Sequence, residues 1–184
     1  MVRSSRGRIP AAERIEPGRV VARLTDLGHG TALRELFASD SDGKPVDGEV
    51  PPQLVGACLQ VLREWDWGER PVAVTWIPGL SRPQLVAALG EGLARAGRLQ
   101  VLGPLGLAPG AAPLPRTNST FRVRDLWTRF YVTPHQEVAL AALSGPVLLV
   151  DDLVDSRWTM TVAGRLLKRA GARAVLPFAL AATG

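Results

Sequence analysis

Two hydrophobic periods divide this chain. Short apolar runs without a polar break predict strands buried on both faces, and broad apolar stripes at helical spacing predict helices between them. The clearest run is Val147-Leu148-Leu149-Val150, with Asp151 and Asp152 directly after it. A short polar stretch follows, and then a helical pattern over 160–170, with Val162, Leu166 and Leu167 on one face and Gly171 as its stop. Upstream, 72–77 reads as a second buried strand, 78–83 as its exit loop and 84–96 as a helix closed by Gly97. Weaker patterns give strands at 19–24, 99–102, 130–132 and 174–181. They also give helices at 51–65 and 134–143, a helix from Thr31 to Phe37, and a short one ending near Trp127. His29 stands between glycines and reads as a surface turn residue. The stretches 39–48 and 103–115 read as loops, the second with nothing to order it.

Strands alternating with helices predict an α/β fold: a central, mostly parallel sheet of about five strands with helices on both faces. Residues 1–17 are polar, carry Arg3, Arg6, Arg8 and Arg14, and read as a basic flexible tail or linker before a single domain over 18–184.

Composition narrows the function only a little. The 184 residues are 46% hydrophobic and 21% charged, which excludes wholesale disorder. The net charge of +5 comes almost wholly from arginine, since Lys44 and Lys168 are the only lysines. A GC-rich genome gives the same bias, so basicity alone does not establish a nucleic-acid partner. The lone Cys58 rules out an internal disulfide and fits a cytoplasmic setting. No apolar run approaches membrane-spanning length, and no membrane partner is expected.

Candidate chemistry gathers at the acid pair. Ligands of open α/β sheets bind beyond the carboxyl ends of the strands, and amides opening the next helix suit a phosphate. Adjacent carboxylates after a buried strand also occur in ATPase and helicase motors. The Gly-x-x-x-x-Gly-Lys-Ser/Thr segment such a motor needs is missing from the sequence. A structural role for one of the acids, capping the loop, stays open beside ligand binding.

The run Leu148 to Thr159 resembles the phosphosugar loop of type I phosphoribosyltransferases: an apolar run, two acids, two apolar residues, then small hydroxyl residues around a glycine. The resemblance implies that fold. It also implies that Asp151 and Asp152 bind the ribose hydroxyls of phosphoribosyl pyrophosphate, with an indirect part in holding Mg²⁺. Asp155, Ser156, Arg157 and Thr159 then cradle the 5-phosphate. Arg157 stands where the family has a small residue, commonly glycine, and bulky Trp158 follows. The guanidinium either reaches the phosphate or blocks the site. The same resemblance makes 78–83 the pyrophosphate loop, with Ser81 and Arg82 as donors. It makes 116–129 the flexible lid, where Arg122, Arg124 and Arg129 face pyrophosphate or form a solvated basic face. No residue marks a nucleobase acceptor or a catalytic group.

A narrower resemblance spans most of the chain. Leu24-Thr25-Asp26-Leu27-Gly28-His29-Gly30, Trp65-Asp66-Trp67 with Arg70-Pro71, Ser81-Arg82-Pro83, Gly97-Arg98-Leu99 and Asp155-Ser156-Arg157-Trp158-Thr159 are together similar to the C-terminal region of actinobacterial RecQ-type DNA helicases. This implies an accessory module without a motor, serving DNA repair or recombination. Its implied partners are a nucleotide or phosphoribosyl pyrophosphate, DNA and a helicase core. The alternatives are an active Mg²⁺-dependent phosphoribosyltransferase and a purely structural docking module.

Overall fold

The computed structural model describes residues 9–111 and 127–183. In chain order the strands are β1 (Arg19–Arg23), β2 (Ala73–Trp76), β3 (Gln100–Pro104), β4 (Gly106–Leu107), β5 (Phe130–Tyr131), β6 (Val147–Val154) and β7 (Val175–Ala182). The helices are α1 (His29–Leu36), α2 (Pro52–Glu64), α3 (Pro83–Gly97), α4 (Pro134–Ala142) and α5 (Trp158–Arg169). Five strands form one sheet in the order β1-β7-β6-β2-β3, and every neighbouring pair in it is parallel.

The unbroken apolar runs explain why this sheet is buried on both sides. Successive residues of β6 point alternately into two cores. Leu148 and Val150 join Leu33, Leu54, Leu85 and Leu89 from α1, α2 and α3. Val147 and Leu149 join Leu140, Met160, Val162 and Leu167 from α4 and α5. The expected parallel sheet with helices on both faces is therefore the fold of this chain. Cys58 lies fully buried in the first core, and burial pushes its thiol up to about 12. No helix among the described residues is long and apolar enough to cross a membrane.

Three elements depart from the sequence reading. Residues 9–17 are not a loose tail. Glu13 pairs with Arg165 of α5, the Glu16 amide donates to the Val175 carbonyl at 2.9 Å, and Ile15 packs into the second core. Gly164 makes room for it, since a Cβ there would lie 2.4 Å from Ile15 Cγ2. The folded part thus begins before residue 18. The stretch after β3 is also more ordered than its composition implies, because β4 pairs antiparallel with β5 through Gly106↔Tyr131 and Leu107↔Phe130. Finally, β6 runs past the acid pair to Val154, and α5 starts at Trp158, two residues earlier than its apolar pattern. The expected short helix ending near Trp127 lies mostly outside the described residues.

Candidate functional site: the crevice between β2 and β6

The chain leaves β2 through α3 on one face and reaches β3. It leaves β6 through α5 on the other face and reaches β7, in the opposite direction along the sheet. Strand order therefore reverses between β2 and β6, and this is where open α/β sheets leave a crevice. The pairing register puts the acid pair at its mouth. On the β2 side the ladder ends at Trp76↔Val150, with a last bond from the Ile77 amide to the Val150 carbonyl at 2.9 Å. On the β7 side β6 continues through Asp151↔Ala179 to Val154↔Ala182. Asp151 and Asp152 thus have a strand neighbour on one side only.

Local backbone bonds fix both carboxyls. The Asp152 amide donates to Asp151 Oδ1 at 2.9 Å, and the Leu153 amide donates to Asp152 Oδ1 at 2.8 Å. Asp151 is 7% exposed. Burial, then the neighbouring Asp152 charge, then the hydrogen bond between the two side chains raise its carboxyl well above the usual 3.8. Burial raises Asp152 too, opposed by that same hydrogen bond and by the charge of Arg82. Burial therefore favours a retained proton on this pair, most of all at Asp151. Such proton-rich, desolvated acids are common at functional sites.

Two adjacent carboxylates are hard oxygen donors of the kind that hold Mg²⁺ together with ligand oxygens and water. Among the described residues no cluster of three or more His, Cys, Asp or Glu side chains forms a protein cage. An ion shared with a bound ligand would be held by Asp151 and Asp152 once the pair has given up its proton.

The loop between β6 and α5 is only Asp155, Ser156 and Arg157. Thr159, expected in this loop, lies instead in the first turn of α5, because Trp158 already has helical geometry. Asp155 Oδ1 accepts from the Thr183 hydroxyl at 3.1 Å. Arg157 is the N-cap residue of α5 and offers no side-chain bond to the opening amides; its carbonyl accepts from the Thr161 hydroxyl at 2.8 Å. Its side chain is exposed and, with Asp155, borders a cavity of about 570 Å³ beside β1 that Arg19, Arg23 and Thr161 also line. Asp155 and Arg157 therefore face the α5 side of the sheet, whereas Asp152 has Arg82 of the α3 side near it.

The loop 77–82 folds tightly on itself, since a Cβ on Gly79 would lie 2.8 Å from the Arg82 carbonyl oxygen. Ser81 is exposed. Arg82 Nη2 donates to the Phe37 carbonyl at 2.9 Å, and its guanidinium lies 5.0 Å from the centre of the Phe37 ring. Its Nε is buried without a partner among the described residues. The Arg129 carbonyl accepts from the Ala108 amide at 2.8 Å, next to the β4–β5 pair. Arg122 and Arg124 lie outside the described residues.

Two residues that the sequence reading passed over belong to this region. Asp47 accepts from the amides of Gln84 and Leu85 at the start of α3, at 3.1 and 2.8 Å. Phe37 anchors Arg82. No local signal marks either one, because each meets its partner only through the tertiary fold.

No protein-family model and no curated protein matches the chain. Among solved structures it is similar to the glutamine phosphoribosylpyrophosphate amidotransferase of B. subtilis in complex with ADP and GMP. That likeness has 16% identity and a TM-score of 0.43, over 69% of this chain. The chain spans 25% of that protein's length.

Proposed function

We propose that this chain binds a ribose phosphate at the carboxyl end of β6, with Asp151 and Asp152 taking the ribose hydroxyls. The observation that carries the reading is the placement of two desolvated, proton-rich carboxyls at the reversal of strand order, without a β2 neighbour to bond them. Carboxyl groups accept from sugar hydroxyls, and the amides opening α5, which the Arg157 side chain leaves uncapped, suit the phosphate. Ser156 and Thr159 flank those amides. The exposed Arg157 leaves the loop unfilled, which favours a guanidinium that reaches an anion over one that blocks it. Mg²⁺ shared between ligand and acid pair completes this reading.

Calorimetric titration of ribose 5-phosphate, with and without Mg²⁺, tests it on the parent and on Asp151→Asn/Asp152→Asn. Binding in the micromolar range, about −8 kcal/mol, is expected for the parent and is lost in the double variant. Equal binding by both proteins sinks the proposal. An active phosphoribosyltransferase would further require turnover that Asp152→Asn abolishes.

The wider role we infer is that of an accessory module beside a RecQ-type helicase core, in DNA repair or recombination. It rests on the similarity of Asp155-Ser156-Arg157-Trp158-Thr159 and the other quoted segments to such helicases. Arginines of 1–17 and of 116–129 then supply the DNA contact. Fluorescence anisotropy with labelled single- and double-stranded DNA tests this, and no binding even at low salt removes the DNA part.

A further inference from the structure

We infer that Asp47 restricts the crevice to ligands carrying one phosphate, such as ribose 5-phosphate or a nucleoside 5′-monophosphate, and excludes a second phosphate group at the sugar's other end. This rests on the ribose-phosphate reading above and narrows it to a class of ligand.

Two loops border the crevice, 77–82 after β2 and 155–157 after β6, and each opens into a helix. A helix N-terminus favours negative charge through its unsatisfied amides and its dipole. The two termini differ in what already occupies them. At α5 the N-cap residue Arg157 offers no side-chain bond to the opening amides, and no bond to them from another side chain is seen among the described residues. At α3, Pro83 has no amide hydrogen to offer, and the next two amides, of Gln84 and Leu85, donate to the Asp47 carboxylate. The anion seat nearest the β2 loop is thus filled by an anion of the chain itself.

The loop that carries Asp47 is braced. Asp40 Oδ1 accepts from the amides of Asp42 and Lys44 at 2.9 and 2.8 Å. The Asp40 amide donates back to the Lys44 carbonyl at 2.8 Å, and Ser39 bridges to Pro45. Arg82 clamps the start of this segment through the Phe37 carbonyl. One of its outer nitrogens, Nη2, and its face are thereby committed, although it is the only cation of the loop 77–82. A phosphate arriving at α3 would have to strip two amides from Asp47 and then sit beside the displaced carboxylate. Like charges at such separations repel strongly in a partly desolvated crevice. The opening of α5 imposes neither cost.

The test is titration of ribose 5-phosphate and of phosphoribosyl pyrophosphate, each with Mg²⁺, against the parent, Asp47→Asn and Asp47→Ala. Asn keeps an oxygen for the amides without the charge, so the fold survives in at least that variant. In the parent the pyrophosphorylated sugar binds no tighter than the monophosphate. In both variants it gains about tenfold, the size of one removed charge contact, while ribose 5-phosphate affinity stays unchanged. A parent that already favours phosphoribosyl pyrophosphate tenfold, or variants that leave the ratio of the two affinities unmoved, overturns the role of Asp47. Absence of binding by either sugar to all three proteins overturns this inference and the ribose-phosphate reading together.

Discussion

Asp47 accepts the backbone N–H of Leu85 at 2.8 Å, across 38 residues of chain, and so caps a helix to which it does not belong. A local cap such as Thr133, whose hydroxyl takes the Gln136 amide at the start of α4, fixes one helix end. Asp47 fixes a helix end and the position of a loop at once. Asp47→Ala should lower stability by about 1–2 kcal/mol, with Asp47→Asn recovering part of that. Urea denaturation of the three proteins measures it, and a parent-like midpoint for Asp47→Ala would show that the cap is dispensable.

The acid pair should make the protein less stable as the solution becomes less acidic. The folded value of Asp151 lies well above 3.8, so the folded state keeps a proton that the unfolded chain releases once the pH passes that value. The stabilisation from this proton is complete below 3.8 and is lost as pH rises through the folded value. Asp151→Asn removes the titration. It should reduce the slope above pH 4 and raise stability at neutral pH. Thermal melts from pH 4 to 8 give the comparison. Parallel profiles for parent and variant would mean that the carboxyl does not hold its proton in the fold. A gain in stability accompanied by loss of ribose 5-phosphate binding is the signature of a group kept for function.

Gln136 holds the end of β3 through one amide group. The residue is 2% exposed, and its Nε2 donates to the carbonyls of Leu102, Gly103 and Pro104 at 3.1, 3.4 and 2.9 Å. Its Oε1 accepts from the Thr133 amide at 3.0 Å. Gln136→Leu strands these buried groups and should cost about 2–3 kcal/mol. Gln136→Glu should be worse at neutral pH, since a carboxylate would face three carbonyl oxygens. That variant regains stability in acid, where a protonated carboxyl donates again and the stabilising proton is present. Chemical denaturation at pH 5 and pH 7.5 separates the two variants, and equal losses at both pH values for Gln136→Glu would contradict this account.

The strands of the main sheet were legible because burial on both faces demands apolar runs, and Val147 to Val150 is such a run. The pattern located Asp151 and Asp152 at the crevice for the same reason. It misplaced the end of β6, since the ladder with β7 continues through Asp151 to Val154 whatever their polarity. It misplaced the start of α5, because Arg157 is no recognised cap and nothing in Trp158-Thr159 announces a helix. β4, of two residues, is too short to carry a period, whereas the strand expected at 130–132 is present as β5. The docking of residues 9–17 depends on Ile15 meeting the bare backbone of Gly164, and Asp47 on amides far along the chain. Contacts of that kind join positions that no local window contains.

The pairing of β1 with β7 also sets the order in which this protein can be completed. Arg19 lies opposite Phe178 and Arg23 opposite Ala182, so among the described residues the first strand of the sheet pairs with β7 alone. On a ribosome the early residues emerge long before that neighbour exists, and the face of β1 that packs on α1 and α2 has no sheet to join. That edge of β1 is therefore covered only once β7 has been made. Contacts of such sequence separation slow folding and prolong the exposure of an unpaired edge. A nascent chain stalled before residue 175 would leave Val20 to Ala22 as a free strand, open to chaperones or to a strand from another molecule.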